Sequence, residues 1–450
     1  MLTNILLFGF SQTFYYFLYI YLLNTVTCEK MKKRKIILAV TICTLVVIVA
    51  VAGFFYPIFD INPKVTAQPL AIDTNATAES VALLTNSMNR FSLEIYRQLA
   101  FEKNDNVFIS PYSVFVALAM TYEGARGETA EEMYNVLNFP QNNDTSLCSF
   151  GKIYNLLNQK KEYTLSTANA LWIQENYPFL NEYLNFIENY YIGKATEVDF
   201  SNVDAAALLI NQWVEEITNG KIKDFLKGSD IHPLTALILT NAIYFKGDWK
   251  IQFDPEITTE KDFEISKEDV IKVSMMSHSV PETEFNYTET EELQILEMPY
   301  KGDKISMVII LPKENDIASV DKIISLENIS KWIDNFSLTT VQVEFPKFTF
   351  ETKYLLKENL MNMGMKLPFD PSADFSGMTG NKNLYIDKVI HQAVIEVNEE
   401  GTEAAAATSV HMIETAQPQV VEFTADHPFI FLIQHKETGN LLFMGRLINP

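Results

Sequence analysis

Asn398-Glu-Glu-Gly-Thr-Glu-Ala-Ala-Ala-Ala-Thr-Ser409, continued by Val410-His-Met-Ile-Glu-Thr-Ala-Gln-Pro-Gln-Val420, is the stretch on which the reading of this chain turns. Before it, Ala393-Val-Ile-Glu-Val397 alternates as a strand does. After it, Phe429-Ile-Phe-Leu-Ile433 and Leu441-Leu-Phe-Met444 flank a turn at Thr438-Gly439-Asn440, the pattern of a hairpin. The roughly thirty residues between these strands are unusual, because a structureless connection of that length inside a compact domain is functional or disordered. Four consecutive alanines also suit a short helix. By itself the stretch leaves both readings open.

Working outward, Leu237-Ile-Leu-Thr-Asn-Ala-Ile-Tyr-Phe245 is a continuous apolar, β-branched run, expected as a strand buried on both faces. Val341-Gln-Val-Glu-Phe345 alternates, and Ser306-Met-Val-Ile-Ile-Leu311 does so more loosely. The first half of the chain reads as helical. Phe91, Ile95 and Leu99 recur every four residues within an expected helix Glu79–Phe101. Ser110-Pro111 supplies a cap and a first-turn proline for a second helix running to Tyr122. Further helices are expected over Thr129–Leu137, Asn181–Tyr190, Asp204–Asn219 and Tyr354–Met363. Helices first and strands later predict an α+β domain with large sheets.

The chain has 450 residues, 48% hydrophobic and 20% charged, with 16 Gly and 17 Pro. It is too apolar and too poor in breakers to be disordered or collagen-like. The length allows two or three average domains, or one large one. Against 57 acidic side chains stand 35 basic ones, a net charge of −22. Nucleic acid is therefore not an expected partner, since its binding rests on Lys and Arg neutralising phosphates. Three cysteines cannot form a disulfide framework. Two of them, Cys28 and Cys43, lie in apolar N-terminal segments, so Cys148 stands alone in the rest.

Residues 1–60 read as a targeting or anchoring region. Ile5 to Val26 is mostly apolar and aromatic, Lys30-Met-Lys-Lys-Arg-Lys35 follows, and the run from Ile36 to Phe59 is uncharged. Met31 with its basic cluster and apolar run has the complete layout of a signal sequence, so translation is expected to begin there. Ala50-Val51-Ala52 offers small residues to a signal peptidase, whereas a run of roughly 20 residues or more is also long enough to remain as a transmembrane anchor. Either way the remainder is expected outside, secreted or held on the outer face of the membrane. It reads as a domain at 76–450 behind a linker at 61–75, and residues 61–450 carry 30 basic against 55 acidic groups, a net of −25.

The signatures of common enzymes are missing. There is no HExxH, GxGxxG, phosphate loop, GxSxG or CxxC. His232, His278, His391, His411, His427 and His435 are scattered along the chain, and structural roles suit each better than metal ligation. Acidic runs such as Glu289–Glu292 read as solvated surface. No metal, cofactor or catalytic activity is expected.

From about residue 80 to the last proline the chain resembles the serpins, a family of suicide protease inhibitors, and of these an inhibitory, prokaryotic type. Six blocks at family spacing carry the resemblance: Asn106-Val-Phe-Ile-Ser-Pro-Tyr-Ser113; Leu239-Thr-Asn-Ala-Ile-Tyr-Phe-Lys-Gly-Asp-Trp249; Phe345-Pro-Lys-Phe348; Ala373-Asp-Phe-Ser-Gly-Met378; His391 through Thr408; and His427-Pro-Phe-Ile-Phe431 with Phe443-Met-Gly-Arg446. The resemblance implies about nine helices around three β-sheets, with an exposed reactive loop on a metastable native state. A protease that attacks the loop forms an acyl-enzyme. The cut loop then inserts as a strand in the main sheet and traps the protease. Matched residue by residue, Glu399, Glu400, Gly401, Thr402, Glu403, Ala404, Ala405, Ala406, Ala407 and Thr408 resemble the loop's hinge. Ser110, Ser113, Asn241 and His391 resemble a hydrogen-bonded cluster where the sheet parts, and Trp249 the tryptophan near the top of the opening.

The hinge makes physical sense as an insertable strand. Alternate strand residues face opposite sides, so Thr402, Ala404, Ala406 and Thr408 share one face, all small and uncharged as a close-packed interior requires. Glu403 falls on the other face, Gly401 supplies a pivot, and no proline interrupts the ladder. Family spacing, counted from Gly401 and back from Phe423, sets the scissile bond at Thr415–Ala416 or a neighbouring bond, preceded by Glu414 and Ile413, with Glu414 the disfavoured alternative as recognised residue for a glutamate-specific or caspase-like target. Small uncharged residues there suit an elastase-like or subtilisin-like serine protease, and the loop has no Arg or Lys for a trypsin-like pocket. The expected function is thus suicide inhibition of extracellular serine proteases by a monomer. The alternatives are a serpin-fold binding or storage protein that no longer inhibits, and cross-class inhibition of cysteine proteases.

Overall fold

A computed structural model describes residues 69–102, 105–140, 146–158, 162–278, 283–402 and 420–450. The N-terminal apolar segments, Cys28, Cys43, the hinge from Glu403 onward and the Thr415–Ala416 bond lie outside the described residues. Among the described residues no helix is long and apolar enough to cross a membrane.

Ten α-helices are described: α1 (Ala78–Glu102), α2 (Pro111–Tyr122), α3 (Gly127–Val136), α4 (Ser146–Asn158), α5 (Asn181–Phe186), α6 (Val203–Ile217), α7 (Ile317–Ile323), α8 (Leu326–Asp334), α9 (Lys357–Asn362) and α10 (Ser376–Thr379). The second helix starts where its residues dictate. Ser110 is extended and its side chain accepts from the Ser113 amide, while Pro111 takes the first turn, where no donor is needed. Eleven of its twelve residues are buried, so it runs through the core. Residues 187–191 continue α5 as a π-turn.

The strands before the long loop are β1 (Val107–Ile109), β2 (Tyr163–Gln174), β3 (Lys194–Val198), β4 (Leu237–Asp248), β5 (Thr259–Ser266), β6 (Asp269–Ser277), β7 (Glu284–Glu289), β8 (Leu293–Pro299), β9 (Ile305–Pro312), β10 (Ser337–Pro346), β11 (Phe348–Leu355), β12 (Lys388–Val397) and β13 (Gly401–Thr402). After it come β14 (Val421–Thr424), β15 (Phe429–His435) and β16 (Asn440–Leu447). The main sheet runs β11-β12-β4-β2-β3, with β13 added at the end of β4. The other two expected sheets are joined, in the order β1-β16-β15-β9-β8-β7-β10-β6-β5 with β14 on β10. The joint is β10 itself: Ser337–Thr340 pair with β7, whereas the residues from Val341 onward pair with β6 and β14.

Two sequence-based expectations need correction. The helix expected over Tyr354–Met363 begins only at Lys357, and Tyr354 belongs to β11. That strand lies at the sheet edge and, after the buried Phe348, alternates exposed and half-buried residues, and the Tyr354 hydroxyl accepts from the Phe108 amide at 3.3 Å. Helices do not all precede strands either, since β2 is a twelve-residue strand in the first half. Its sequence is rich in Ala, Ser, Thr and Asn, and its inner position comes from pairing with β4 along eleven residues. The stretch expected as a linker ends docked on the folded unit, with the Ala71 amide donating to Asn155 Oδ1 and Asn155 Nδ2 donating back to the Ala71 carbonyl.

Two apolar clusters fill the two sides of the main sheet. Leu239, Ile243 and Phe245 of β4 join the large core that holds α2, and Ile238 and Ala242, in the opposite phase, join a smaller one beneath α6.

Candidate functional site

Four strands of the main sheet carry one polar row at a single level. Tyr354 of β11 lies opposite His391 of β12, His391 opposite Asn241 of β4, and Asn241 opposite Asn169 of β2. His391 and Asn241 are fully buried, as are Ser110 and Ser113 of the segment packed beneath them. Burying so many polar groups is tolerable only if they satisfy one another, and they do. Asn241 Nδ2 donates to Ser113 Oγ and to Asn169 Oδ1, and Ser113 Oγ donates to Asn169 Oδ1 at 3.1 Å. The Ser110 amide donates to His391 Nε2 at 3.1 Å, while its hydroxyl donates to the Leu442 carbonyl at 2.7 Å. On its other side His391 Nδ1 meets Asn241 Oδ1. Both ring nitrogens are satisfied only in the neutral tautomer carrying its proton on Nδ1.

The structure thus brings together Ser110, Ser113, Asn241 and His391, and adds Asn169. A polar residue inside the small-residue run Ala168-Asn-Ala170 was the available signal for Asn169, once β2 is placed beside β4.

A second constellation closes the end of the β4–β12 seam. Their pairing runs from Ile238–Lys388 to Tyr244–Val394. Beyond it, Gly401 and Thr402 pair antiparallel with Asp248 and Gly247. Gly401 has φ +153°, and a Cβ there would lie 2.2 Å from the Gly247 carbonyl oxygen, so only glycine fits this approach. Trp249, 2% exposed, stacks on Tyr300 at 4.4 Å, donates from its indole to the Asn398 carbonyl and from its amide to the Glu400 carbonyl. The Glu399 carboxylate accepts from Lys347 at 2.9 Å and Thr258 at 3.0 Å. Burial alone would raise its pKa, but hydrogen bonds from Lys347, from its own backbone amide and from Thr258 outweigh that and hold it below the usual range. Lys347 sits inside Phe345-Pro-Lys-Phe348, yet nothing in that block links it to Glu399.

A protein-family model described as serpin (serine protease inhibitor) matches residues 86–450. An uncharacterized serpin-like protein of Thermococcus kodakarensis is 45% identical over 82% of this chain and 86% of its own. The leukocyte elastase inhibitor of Bos taurus is 39% identical over 82% of this chain and 99% of its own. The crystal structure of human thyroxine-binding globulin superposes with a TM-score of 0.76 at 30% identity, covering 82% of this chain and 99% of that one. The chain belongs to the serpin family.

The acid response of this serpin follows from its buried imidazoles. Burial pushes His391 down to about 3 and His278 down to about 4. Each stays neutral in the native state and takes up a proton near its ordinary pKa, about 6.5, once unfolded. Their contribution is therefore complete above pH ~6.5 and is lost as pH falls toward those native values, by up to ~1.4 kcal/mol per pH unit for each ring. His427 works in the opposite sense. Burial lowers its pKa, but Asp426 and the Pro312 carbonyl raise it by more, so it offsets part of the loss. The urea midpoint should be lower at pH 5.5 than at pH 7.5. An equal or higher midpoint at pH 5.5 would contradict the neutral-His391 network.

Proposed function

We propose that this serpin is a suicide inhibitor of extracellular serine proteases with a small-residue, elastase-like or subtilisin-like preference, cut near Thr415–Ala416. The observation that carries the reading is the short strand β13. It lies antiparallel to β4 at the point where β4 and β12 part. If the hinge inserts in this register down β4, Ala404 would lie opposite Phe245, Ala406 opposite Ile243 and Thr408 opposite Asn241. Phe245 and Ile243 lie in the large core, and Asn241 reaches Ser113 beneath the sheet, so the small residues of the hinge take that face. The same register brings Glu403 opposite Lys246, on the other face.

Insertion also has a driving force. β12 and β4 are parallel, and parallel ladders are slightly weaker per residue. A strand running as β13 does would exchange one parallel ladder for two antiparallel ones. Ser110, Ser113, Asn241 and His391 form the point where the sheet parts, and Trp249 closes its end. The chain is bait for another enzyme's nucleophile and has no catalytic role of its own. Thr408 then offers Asn241 a replacement for His391. The N-terminal segment exports or anchors the inhibitor outside the cell, and it acts as a monomer.

The test is incubation of the full chain with subtilisin and with pancreatic elastase, read by denaturing gel and by mass of the released peptide. A complex that survives SDS, with a new terminus at Ala416, is the expected result. Complete cleavage with no complex would sink the inhibitory reading. It would favour a binding module, which the likeness to thyroxine-binding globulin keeps as the second reading. The same assay with papain separates out inhibition of cysteine proteases.

A further inference from the structure

The face of the main sheet opposite Ser113 is crossed by a strap, the segment 218–236 that joins α6 to β4. Its apolar residues Ile222, Phe225, Leu226 and Ile231 share one buried cluster with Ile238 and Ala242 of β4 and with Ile390 of β12, so it covers both sides of the seam. On one side the strap is fixed to α6 and β4. Asn211 of α6 grips the Leu226 backbone twice, donating to its carbonyl and accepting from its amide, both at 2.7 Å. The Lys221 ammonium lies 5.9 Å from the centre of the Tyr244 ring of β4. On its other side, at the neighbouring residue Phe225, the strap is tied to β11, two strands from β4. The Lys353 ammonium donates to the Phe225 carbonyl, lies over the Phe225 ring at 5.7 Å and stands 4.0 Å from the Asp230 carboxylate.

We infer that Lys353 is a positioning residue that brakes strand insertion by tying this strap across the seam. The inference rests on the strand-insertion reading above. A strand entering between β4 and β12 moves β12, and the β11 paired to it along eight residues, away from β4 by about one strand spacing, ~4.8 Å. No hydrogen bond stretches that far. The Lys353–Phe225 contact must therefore break before the sheet can widen beneath the strap. Asn211 and Lys221 stay on the β4 side and make no such demand. Lys353 sets how fast the sheet opens, and hence how insertion competes with deacylation of the trapped protease.

The test uses the full chain and a synthetic peptide of residues 402–414, whose incorporation into the uncleaved protein is followed by native gel well below the melting temperature. Lys353→Met keeps the aliphatic stem over Phe225 and removes the donor. It should take up the peptide about tenfold faster or more, the ratio that losing one charge-assisted hydrogen bond gives. Lys353→Arg should restore the slow rate, and Lys272→Ala, at an exposed pair with Asp262, should leave it unchanged. A merely structural lysine would lower the melting temperature and leave uptake alone. Equal uptake by Lys353→Met and the parent overturns the brake while leaving insertion intact. A parent that never incorporates the peptide, and whose melting is unchanged by loop cleavage, overturns both. Should Lys353→Met not fold, Lys353→Gln in the same assay decides by the same criteria.

Discussion

Thr402→Arg is expected to convert the inhibitor into a plain substrate: the loop is still cut, no SDS-resistant complex forms, and the stoichiometry of inhibition rises at least about tenfold. Position 402 is paired with Gly247, where even a methyl group would lie 3.0 Å from the Tyr300 ring. A guanidinium carried into that face on insertion would be a buried charge without a partner, which costs about 3–5 kcal/mol. Where that cost falls on the insertion step, it slows insertion by about two to three and a half decades, at about 1.4 kcal/mol per decade, while hydrolysis of the acyl-enzyme is untouched. Glu403→Gln, one residue along on the opposite phase, should leave the stoichiometry within about twofold, since an exposed ion pair contributes little. Unchanged inhibition by Thr402→Arg would mean that the hinge does not enter the sheet in the register of β13.

Cleavage of the loop without loss of the fragments should raise the melting temperature by roughly 10 °C or more. Insertion of about a dozen residues adds on the order of ten backbone hydrogen bonds, at about 1 kcal/mol each, and the shift per kcal/mol is about 2 °C or less for a domain this large. Calorimetry of the chain before and after limited proteolysis checks this. No rise on cleavage would point to the binding or storage reading, because a loop that stays out of the sheet changes none of the contacts that melt.

Much of the fold is local enough to be legible in the residues. Ser110 and Pro111 start α2 by backbone chemistry that needs no distant partner, and the capping bond is present as expected. The run from Leu237 is apolar in both phases, and β4 is buried on both faces. The hairpin around Gly439 pairs β15 with β16. What escaped a local reading is equally specific. Tyr354 continues a helical pattern, yet its place beside His391 in β11 wins, because a strand pairing along eight residues outweighs weak helix propensity. The mixed small and polar residues of β2 announce no strand, and β2 is one because β4 pairs with it. The site divides along the same line. Gly401, Thr402 and the alanines carry their meaning in composition and phase. Ser110, Ser113, Asn241 and His391 were grouped by family resemblance, since polar residues far apart in sequence look no different from surface ones.

By itself the sequence determined that a long segment lies between two strands and opens with a small-residue, proline-free hinge of alternating phase, because side-chain size and strand period are local properties. The tertiary structure alone decided where that segment can go. Only the pairing of β12 with β4 makes a parallel seam, only the polar row Tyr354-His391-Asn241-Asn169 fills its middle with contacts that an inserting strand would have to exchange, and only the strap held by Lys353 covers it. These are contacts between residues up to hundreds of positions apart. Their free energy comes from burial and from partners found on folding, so no window of the sequence contains it.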